Sequence, residues 1–360
     1  MTQIAVQLFL AFGVTAFLLL VLRRPALEAG LVDRPCDRKR HGRLVPLIGG
    51  ICILLGFAAA SLPADFGLRD YQGLFAGMTV LLLVGVVDDL VDIEAWAKFA
   101  AQVFAALLMT TWSGLVVEDL GQLFGPQVSL ELGSLAVPFT VLCVVGLINA
   151  INMFDGVDGL AAGTVAAALS WLVLAGAFNG GASWLVLAGL LLASVCAFLI
   201  FNMRNPWRRK AACFLGDSGS MMLGFALAWF AVEAAQGEHA LLPPVAIAWI
   251  LALPVLDTLT LMARRILRGR HPFHPDREHL HHIFYRAGFS SGQTVTVLVL
   301  TSVLLGGMGV LGTGLGLPEW VLVLLFVPVA LIHVLIQARA WRFARLMRRQ
   351  LRWVRSNLRQ

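Results

Sequence analysis

The chain of 360 residues is 59% hydrophobic and 13% charged, with a mean hydropathy of +0.83 and a formal net charge of +6. That balance excludes an ordinary soluble domain. It also argues against a nucleic-acid footprint, because the basic residues sort by position in a way that marks membrane topology and attraction to anionic lipid. A membrane span needs about 20 mostly apolar residues. Such runs occur at 3–22, 44–62, 72–88, 96–113, 135–152, 159–177, 183–201, 217–235, 242–262, 294–314 and 319–338. The expected fold is therefore all-α and polytopic, with about eleven transmembrane helices, since open backbone cannot face lipid. A single transmembrane domain is expected over 1–338, followed by a basic amphipathic tail at 339–360.

The basic residues orient this layout. Arg23, Arg24, Arg34, Arg38, Lys39, Arg40 and Arg43 fill the first loop, and Lys98 follows the third run. Arg204, Arg208, Arg209 and Lys210 follow the seventh, and Arg264, Arg265, Arg268, Arg270, Arg277 and Arg286 follow the ninth. Eight arginines between Arg339 and Arg359 complete the set. With that number of spans all of these fall on one side and only Arg69 lies opposite. The positive-inside rule makes that side the cytoplasm, with the N-terminus outside and the C-terminus inside. The first apolar run has no basic residue before it and Arg23 and Arg24 after it, which suits an uncleaved span. Cys36, Cys52, Cys143, Cys196 and Cys213 show no paired spacing, which argues against disulfides and a zinc site.

In chain order, the first loop (Val32 to Gly50) reads either as a positive-inside anchor or as a cationic rim for a phosphorylated substrate. The third run ends in Asp88-Asp89, with Asp92 and Glu94 after it. Adjacent carboxylates closing an unbroken apolar helix repel unless a cation or proton lies between them. Trp96 and Lys98 follow, Lys98 being the one cation of that loop. The acidic loop at 114–134 reads as a passive connector. Between two apolar runs stands Asn149-Ala-Ile-Asn152-Met-Phe-Asp155-Gly-Val-Asp158-Gly-Leu160. Intramembrane ionisable residues default to function, although any one Asn or Asp here also reads as a helix cap. Phe214-Leu-Gly216-Asp217-Ser218-Gly219-Ser220 opens the eighth span, where backbone N–H groups suit a phosphate. Asp257, three residues after Pro254, reads equally as a partner for backbone freed by the proline or for Arg264 or Arg265, or as functional.

The loop from His271 to His282 carries five of the eight histidines. In a helix His279 and His282 would share a face that His281 would not, and no cysteine accompanies them. These imidazoles and Arg265 therefore read as contacts to phosphoryl oxygen. The tail interleaves Trp341, Phe343, Leu346, Leu351 and Trp353 with arginines, as expected of a helix lying on the inner leaflet. Three carboxylate clusters and a His/Arg loop thus meet one membrane boundary. Hard oxygen donors without thiolates point to Mg²⁺, bridging carboxylates and substrate phosphates. Mn²⁺ is the alternative.

Asp88-Asp89-x-x-Asp92, Asn152-x-x-Asp155-Gly-x-Asp158-Gly, Phe214-x-Gly-Asp217-x-Gly-Ser220 and Pro275-Asp-Arg-x-His279-x-His281-His282 together resemble the polyprenyl-phosphate N-acetylhexosamine-1-phosphate transferases, glycosyltransferase family 4. The motifs stand in family order and the resemblance covers nearly the whole chain. Within the family, the histidine loop and the layout resemble the bacterial branch acting on UDP-GlcNAc and undecaprenyl phosphate. The muramoyl-pentapeptide branch tends instead to carry three consecutive His and a Lys where Asp92 stands here.

The resemblance implies a multi-pass protein of the bacterial inner membrane, with its N-terminus periplasmic and its site facing the cytoplasm. Its product would be undecaprenyl-pyrophosphoryl-GlcNAc, which starts a lipid-linked surface glycan. Asp217 is implied as the leading metal ligand, Asp89 as a second metal contact or base, and Asp88 as a catalytic residue near the lipid phosphate. Asn152 and Asp158 match nucleotide-binding positions, Phe214 an aromatic for uracil, and Asp155 a catalytic position between nucleotide and metal. Arg265, His279, His281, His282 and Lys98 would hold phosphate and sugar. The resemblance departs at Trp96, where many members carry a second basic residue. A different N-acetylhexosamine donor, a MurNAc-pentapeptide donor, a homodimer, and a transporter using its carboxylates as a cation or proton relay stay open.

Overall fold

The computed structural model describes residues 2–33, 44–63, 67–179, 183–204, 210–237, 240–272 and 278–357. The order is α1 (Thr2–Val21), α2 (Arg23–Glu28), a two-stranded antiparallel ribbon of β1 (Val32–Asp33) and β2 (Val45–Pro46), then α3 (Gly49–Ser61), α4 (Gln72–Val91) and α5 (Ala95–Leu107). Next come α6 (Ala136–Phe154), α7 (Leu160–Asn179), α8 (Ser183–Asn202) and α9 (Gly216–Ala235). The chain closes with α10 (Pro244–Ile250), α11 (Ala252–Leu267), α12 (Leu280–Ala287), α13 (Ser291–Gly314), α14 (Glu319–Ala338) and α15 (Ala340–Asn357).

Among the described residues seven helices are long and apolar enough to cross a membrane, or eight if the bent pair α10–α11 is one span. Every expected apolar run contains a helix, but they are not equal, and the run at 44–62 opens with β2 before α3. α3 has 13 residues, a rise of about 20 Å, well under the bilayer core. α5 passes into a π-helical turn at Leu108–Trp112, and α7 is a 20-residue apolar helix, Leu160–Asn179. The α10–α11 pair bends by 79°. Pro254 cannot donate to the carbonyl four residues earlier, and the helix breaks at Leu251 between them.

α9 is the central post, with nearly all of its residues buried. Helices in lipid gain little from apolarity, so close packing decides their contacts. α4 meets α9 through glycines: a Cβ at Gly77 would stand 2.4 Å from the Phe225 ring, and one at Gly85 2.2 Å from Ser218 Cα. On the other side Gly50 of α3 meets Gly219, with a Cβ–Cα separation of only 2.5 Å if a Cβ were added. These approaches bring the polar ends of α4 and α9 together. The ribbon joins in, since Phe214 N–H donates to Pro46 O (2.9 Å) and Gly49 N–H to Phe214 O (3.0 Å).

The loop at 114–134 is tied down, with Gln236 donating to Asp119 O and accepting from Glu118 N–H. The tail departs from expectation. α15 turns its small apolar face onto α12, burying Ala340 and Ala344 against Ile283 and Ala287. Part of the surface expected to meet lipid is therefore spent on protein.

Candidate active site

Two polar clusters flank the turn that joins α6 to α7. The first gathers the end of α4, the start of α5, the end of α6 and the start of α9. Lys98 Nζ donates to Asp88 Oδ2 (2.8 Å) and to Asp217 Oδ2 (3.2 Å). Asp88 Oδ1 accepts the Ile93 N–H at 3.0 Å, where the chain reverses after Asp92 in the left-handed region (φ 54°). Asn152 Nδ2 donates to Asp217 Oδ1 (3.1 Å) and to Ser220 Oγ (2.9 Å). Two carboxylates from separate helices thus share one ammonium, and an amide orients the more exposed of them.

Asp89 takes another position. Its Oδ1 accepts the Asp217 N–H (3.0 Å), and its Oδ2 accepts the Ser218 hydroxyl (2.9 Å). It caps α9 from a neighbouring helix, satisfying donors that the first turn leaves open. Gly216 makes this possible, with φ at +75° and a Cβ that would sit 2.5 Å from Asp89 Oδ2. The Asp88-Asp89 pair is therefore split: one carboxylate faces Lys98 and Asp217, and the other braces the helix that carries Asp217.

The second cluster is built on Asp257, wholly buried in α11. Asp257 Oδ2 pairs with His279 Nδ1 (2.8 Å), and Oδ1 accepts the Leu280 N–H (3.1 Å). Gln337 of α14 donates to the same Oδ1, and His333 Nε2 stands 4.0 Å from it. The expected partners Arg264 and Arg265 lie elsewhere: Arg264 bridges to Glu278 (3.1 Å), and buried Arg265 donates to Pro272 O (2.6 Å). Arg265 is therefore seen holding the start of the loop. His274 and the Pro275-Asp276-Arg277 run lie outside the described residues.

The histidines also differ from a simple helical arrangement. His279 is extended (φ −57°, ψ 154°) and precedes α12, so its ring stacks on His281 with centroids 5.6 Å apart and an 8° tilt. The His282 ring lies 4.2 Å from that of His281. His281 is 2% exposed and its Nδ1 has no hydrogen-bond partner among the described residues. Burial, then the neighbouring His282 and His279, push His281 well below the ordinary histidine value.

Because that shift is downward, folding favours the neutral ring. Its contribution to stability is complete above the unfolded value of about 6.5 and is lost as pH falls below it. Thermal unfolding followed from about pH 7.5 to 5.5 should show a smaller acid loss in His281→Asn than in the parent chain.

The turn between the clusters touches both. Asn152 reaches Asp217, whereas a Cβ on Gly156 would stand 2.8 Å from His281 Cε1 and Nε2. Asp155 ends α6 between them. Gly156→Ala should displace the His281 ring and lower turnover about tenfold, on the scale expected of sub-ångström misplacement. Steady-state rates in a double-mutant cycle check this, because the effect should vanish in a His281→Ala background.

Asp158 lies at the far side, accepting from Arg204 Nε at 2.8 Å. Phe214, half-buried, precedes Gly216 and is held by the backbone bonds to the ribbon. Asn149 donates to Gln102 (2.6 Å) and ties α6 to α5. The structure thus brings together Asp88, Lys98, Asn152 and Asp217 at one point and His279, His281 and His282 at another. Sequence reasoning gave Ser220 no role beyond its motif and missed Gln337 and His333. His333 and Gln337 were detectable as polar residues four apart in an apolar span.

The donor set fits a hard divalent cation. Among the described residues no three His, Cys, Asp or Glu side chains converge as a metal cage. Mg²⁺ commonly takes one or two carboxylates plus substrate phosphates, which is what Asp217 and Asp88 offer around a point already favourable to positive charge.

A largely helical scaffold with carboxylates, a lysine and imidazoles gathered at helix ends suits phosphoryl-group transfer at a membrane, and the chain belongs to glycosyl transferase family 4, whose profile matches residues 71–235. It is 34% identical over 344 residues to the undecaprenyl-phosphate alpha-N-acetylglucosaminyl 1-phosphate transferase of Yersinia pestis, covering 95% of this chain and 94% of that one. Proteins of the same name from Escherichia coli (strain K12) and Haemophilus influenzae are 33% and 34% identical. These cover 98% and 94% of this chain and 96% and 95% of theirs.

Proposed function

We propose that this protein transfers N-acetylglucosamine 1-phosphate from UDP-GlcNAc to undecaprenyl phosphate, giving undecaprenyl-pyrophosphoryl-GlcNAc and UMP. The observation that carries the reading is the Asp88–Lys98–Asp217–Asn152 cluster at the shared end of two apolar helices, where a lipid phosphate and a soluble nucleotide can meet. The relatives' names supply undecaprenyl phosphate and the N-acetylglucosaminyl 1-phosphate group, and the site chemistry agrees with them.

In the proposed reaction a lipid phosphate oxygen attacks the sugar-linked phosphorus of the donor. The new P–O bond forms as the bond to the bridging oxygen breaks, and UMP leaves with that oxygen. A phosphate monoester is largely ionised near neutrality, its second pKa being about 6. Direct attack therefore needs no strong base. Positioning and charge neutralisation carry the catalysis. Lys98 offsets the approaching phosphate charge beside Asp88. Asp217, oriented by Asn152, would hold Mg²⁺ or Mn²⁺ with Asp88. When bound, such an ion neutralises the phosphoryl oxygens. Asp89 acts by positioning Asp217. Asp155, Asp158 and Phe214 are assigned to the nucleotide side. His279, His281 and His282 are assigned to the donor phosphates and sugar, with Arg265 holding their loop.

The reading places the site at the cytoplasmic face of a bacterial inner membrane and keeps eleven crossings. In this reading the crossings are the seven long helices, the bent pair, α5 with its π turn, α7, and α3, which is shorter than the bilayer core. Eleven alternating crossings would put the basic clusters on one face.

The test is UMP release by purified protein with undecaprenyl phosphate, Mg²⁺ and UDP-GlcNAc, against UDP-GalNAc and UDP-MurNAc-pentapeptide. Preference for UDP-GlcNAc is expected. Faster release from either competitor overturns the sugar assignment. Metal-dependent proton flux in liposomes without UMP release overturns the transferase reading.

A further inference from the structure

α12 carries His281 and His282 and follows directly on His279, so what holds α12 sets where three imidazoles stand. One side of its support is Asp257. The other is α15. Ala340 and Ala344 are buried against Ile283 and Ala287, with Phe289, Phe343 and Met347 at the edge. The Arg286 guanidinium lies 5.0 Å over the Trp341 ring, and Arg348 donates to the Arg286 carbonyl. α15 therefore grips α12 by small apolar residues, a cation–π contact and a backbone bond.

The rest of α15 points away. On helical spacing Arg342, Arg345 and Arg349 share the face opposite Ala340 and Ala344, and all three are exposed. None has an ion pair among the described residues, and α15 itself contains no acidic residue. Trp341 (68% exposed) and Leu346 (57%) border that face. α15 begins two residues after the end of α14, a helix apolar enough to cross the membrane, so this arginine row starts at the membrane boundary. A basic row at that place is complementary to anionic headgroups, and each such charge adds to its hold on the leaflet.

We infer that α15 is a lipid-tethered latch: its apolar face holds α12, and its arginine face binds the headgroups of anionic phospholipid, so that the negative charge of the leaflet sets how firmly the imidazole helix is held. The effect on catalysis rests on the assignment of those imidazoles to the donor phosphates, whereas the tether rests on α15 packing and charge alone.

The full chain is placed in nanodiscs of phosphatidylcholine, or of an equal mixture with phosphatidylglycerol, and amide hydrogen exchange is followed over Leu280–Ala287. Exchange is expected to slow on the order of tenfold with phosphatidylglycerol, and high salt should remove the difference. A variant carrying Arg342→Gln, Arg345→Gln and Arg349→Gln should exchange equally in both lipids and match the parent chain in phosphatidylcholine. Equal exchange of the parent in both lipids, or a lipid response kept by that variant, overturns the latch. UMP release is measured in the same discs and should rise with protection. Protection that responds to lipid while turnover does not would leave the tether standing and remove α12 from the catalytic assignment.

Discussion

Asp217→Asn should lower UMP release about 10²–10³-fold, the usual cost of losing a charged group aimed at a reacting phosphoryl centre. The substitution keeps size and can keep the Asn152 contact, so the helix start braced by Asp89 should stand. What is lost is the charge facing Lys98 and any metal ion held with Asp88. Glu94→Gln, at an exposed carboxylate beside the same loop, should stay within about twofold, as surface changes usually do. Turnover at saturating substrate, with thermal unfolding alongside, decides the matter. Full activity in the Asp217 variant would remove the central assignment of the site.

Asp257→Ala should both destabilise the protein and slow it. Three buried donors, at His279, Leu280 N–H and Gln337, lose their acceptor together. At about 1–3 kcal/mol for each buried group left unpaired, the expected cost is roughly 3–5 kcal/mol once relaxation is allowed. With His279 released from its orientation, the stacked rings should drift and turnover fall about 10²-fold. Asp257→Asn separates the two effects. It keeps an acceptor for the Leu280 N–H and should recover most of the stability, while the His279 contact loses its charge and the rate stays low. Unfolding midpoints and kcat measured on both variants check this. Equal recovery of stability and rate would make Asp257 a purely structural residue.

These two carboxylates show how differently the site was legible. Asp217 was evident because a carboxylate opening an apolar helix, on the same side as other acids, has few bland explanations. Asp257 stood between structural and functional readings because its partners are remote: His279 is in a later loop, and Gln337 and His333 lie in an apolar run with no motif. The split of Asp88 from Asp89 was equally hidden. Adjacent residues on a helix point about 100° apart, and only the placement of α9 shows which of them meets Asp217. The tail reads in the sequence as basic and amphipathic and as lipid-facing alone, since an apolar face does not announce whether lipid or a protein helix will cover it.

Composition and apolar run length determined on their own that this chain is a helical membrane protein, and the position of the arginines led to the expectation that its chemistry lies at one boundary. The family that the motifs resemble supplied the residues proposed to carry that chemistry. Tertiary structure alone decided which of them face one another. In lipid a helix that is apolar all round has no preferred rotation about its axis, so hydropathy cannot orient it. Gly77, Gly85, Gly50 and Gly219 do so here, by letting α4 and α3 approach α9 until Asp88, Lys98, Asn152 and Asp217 meet.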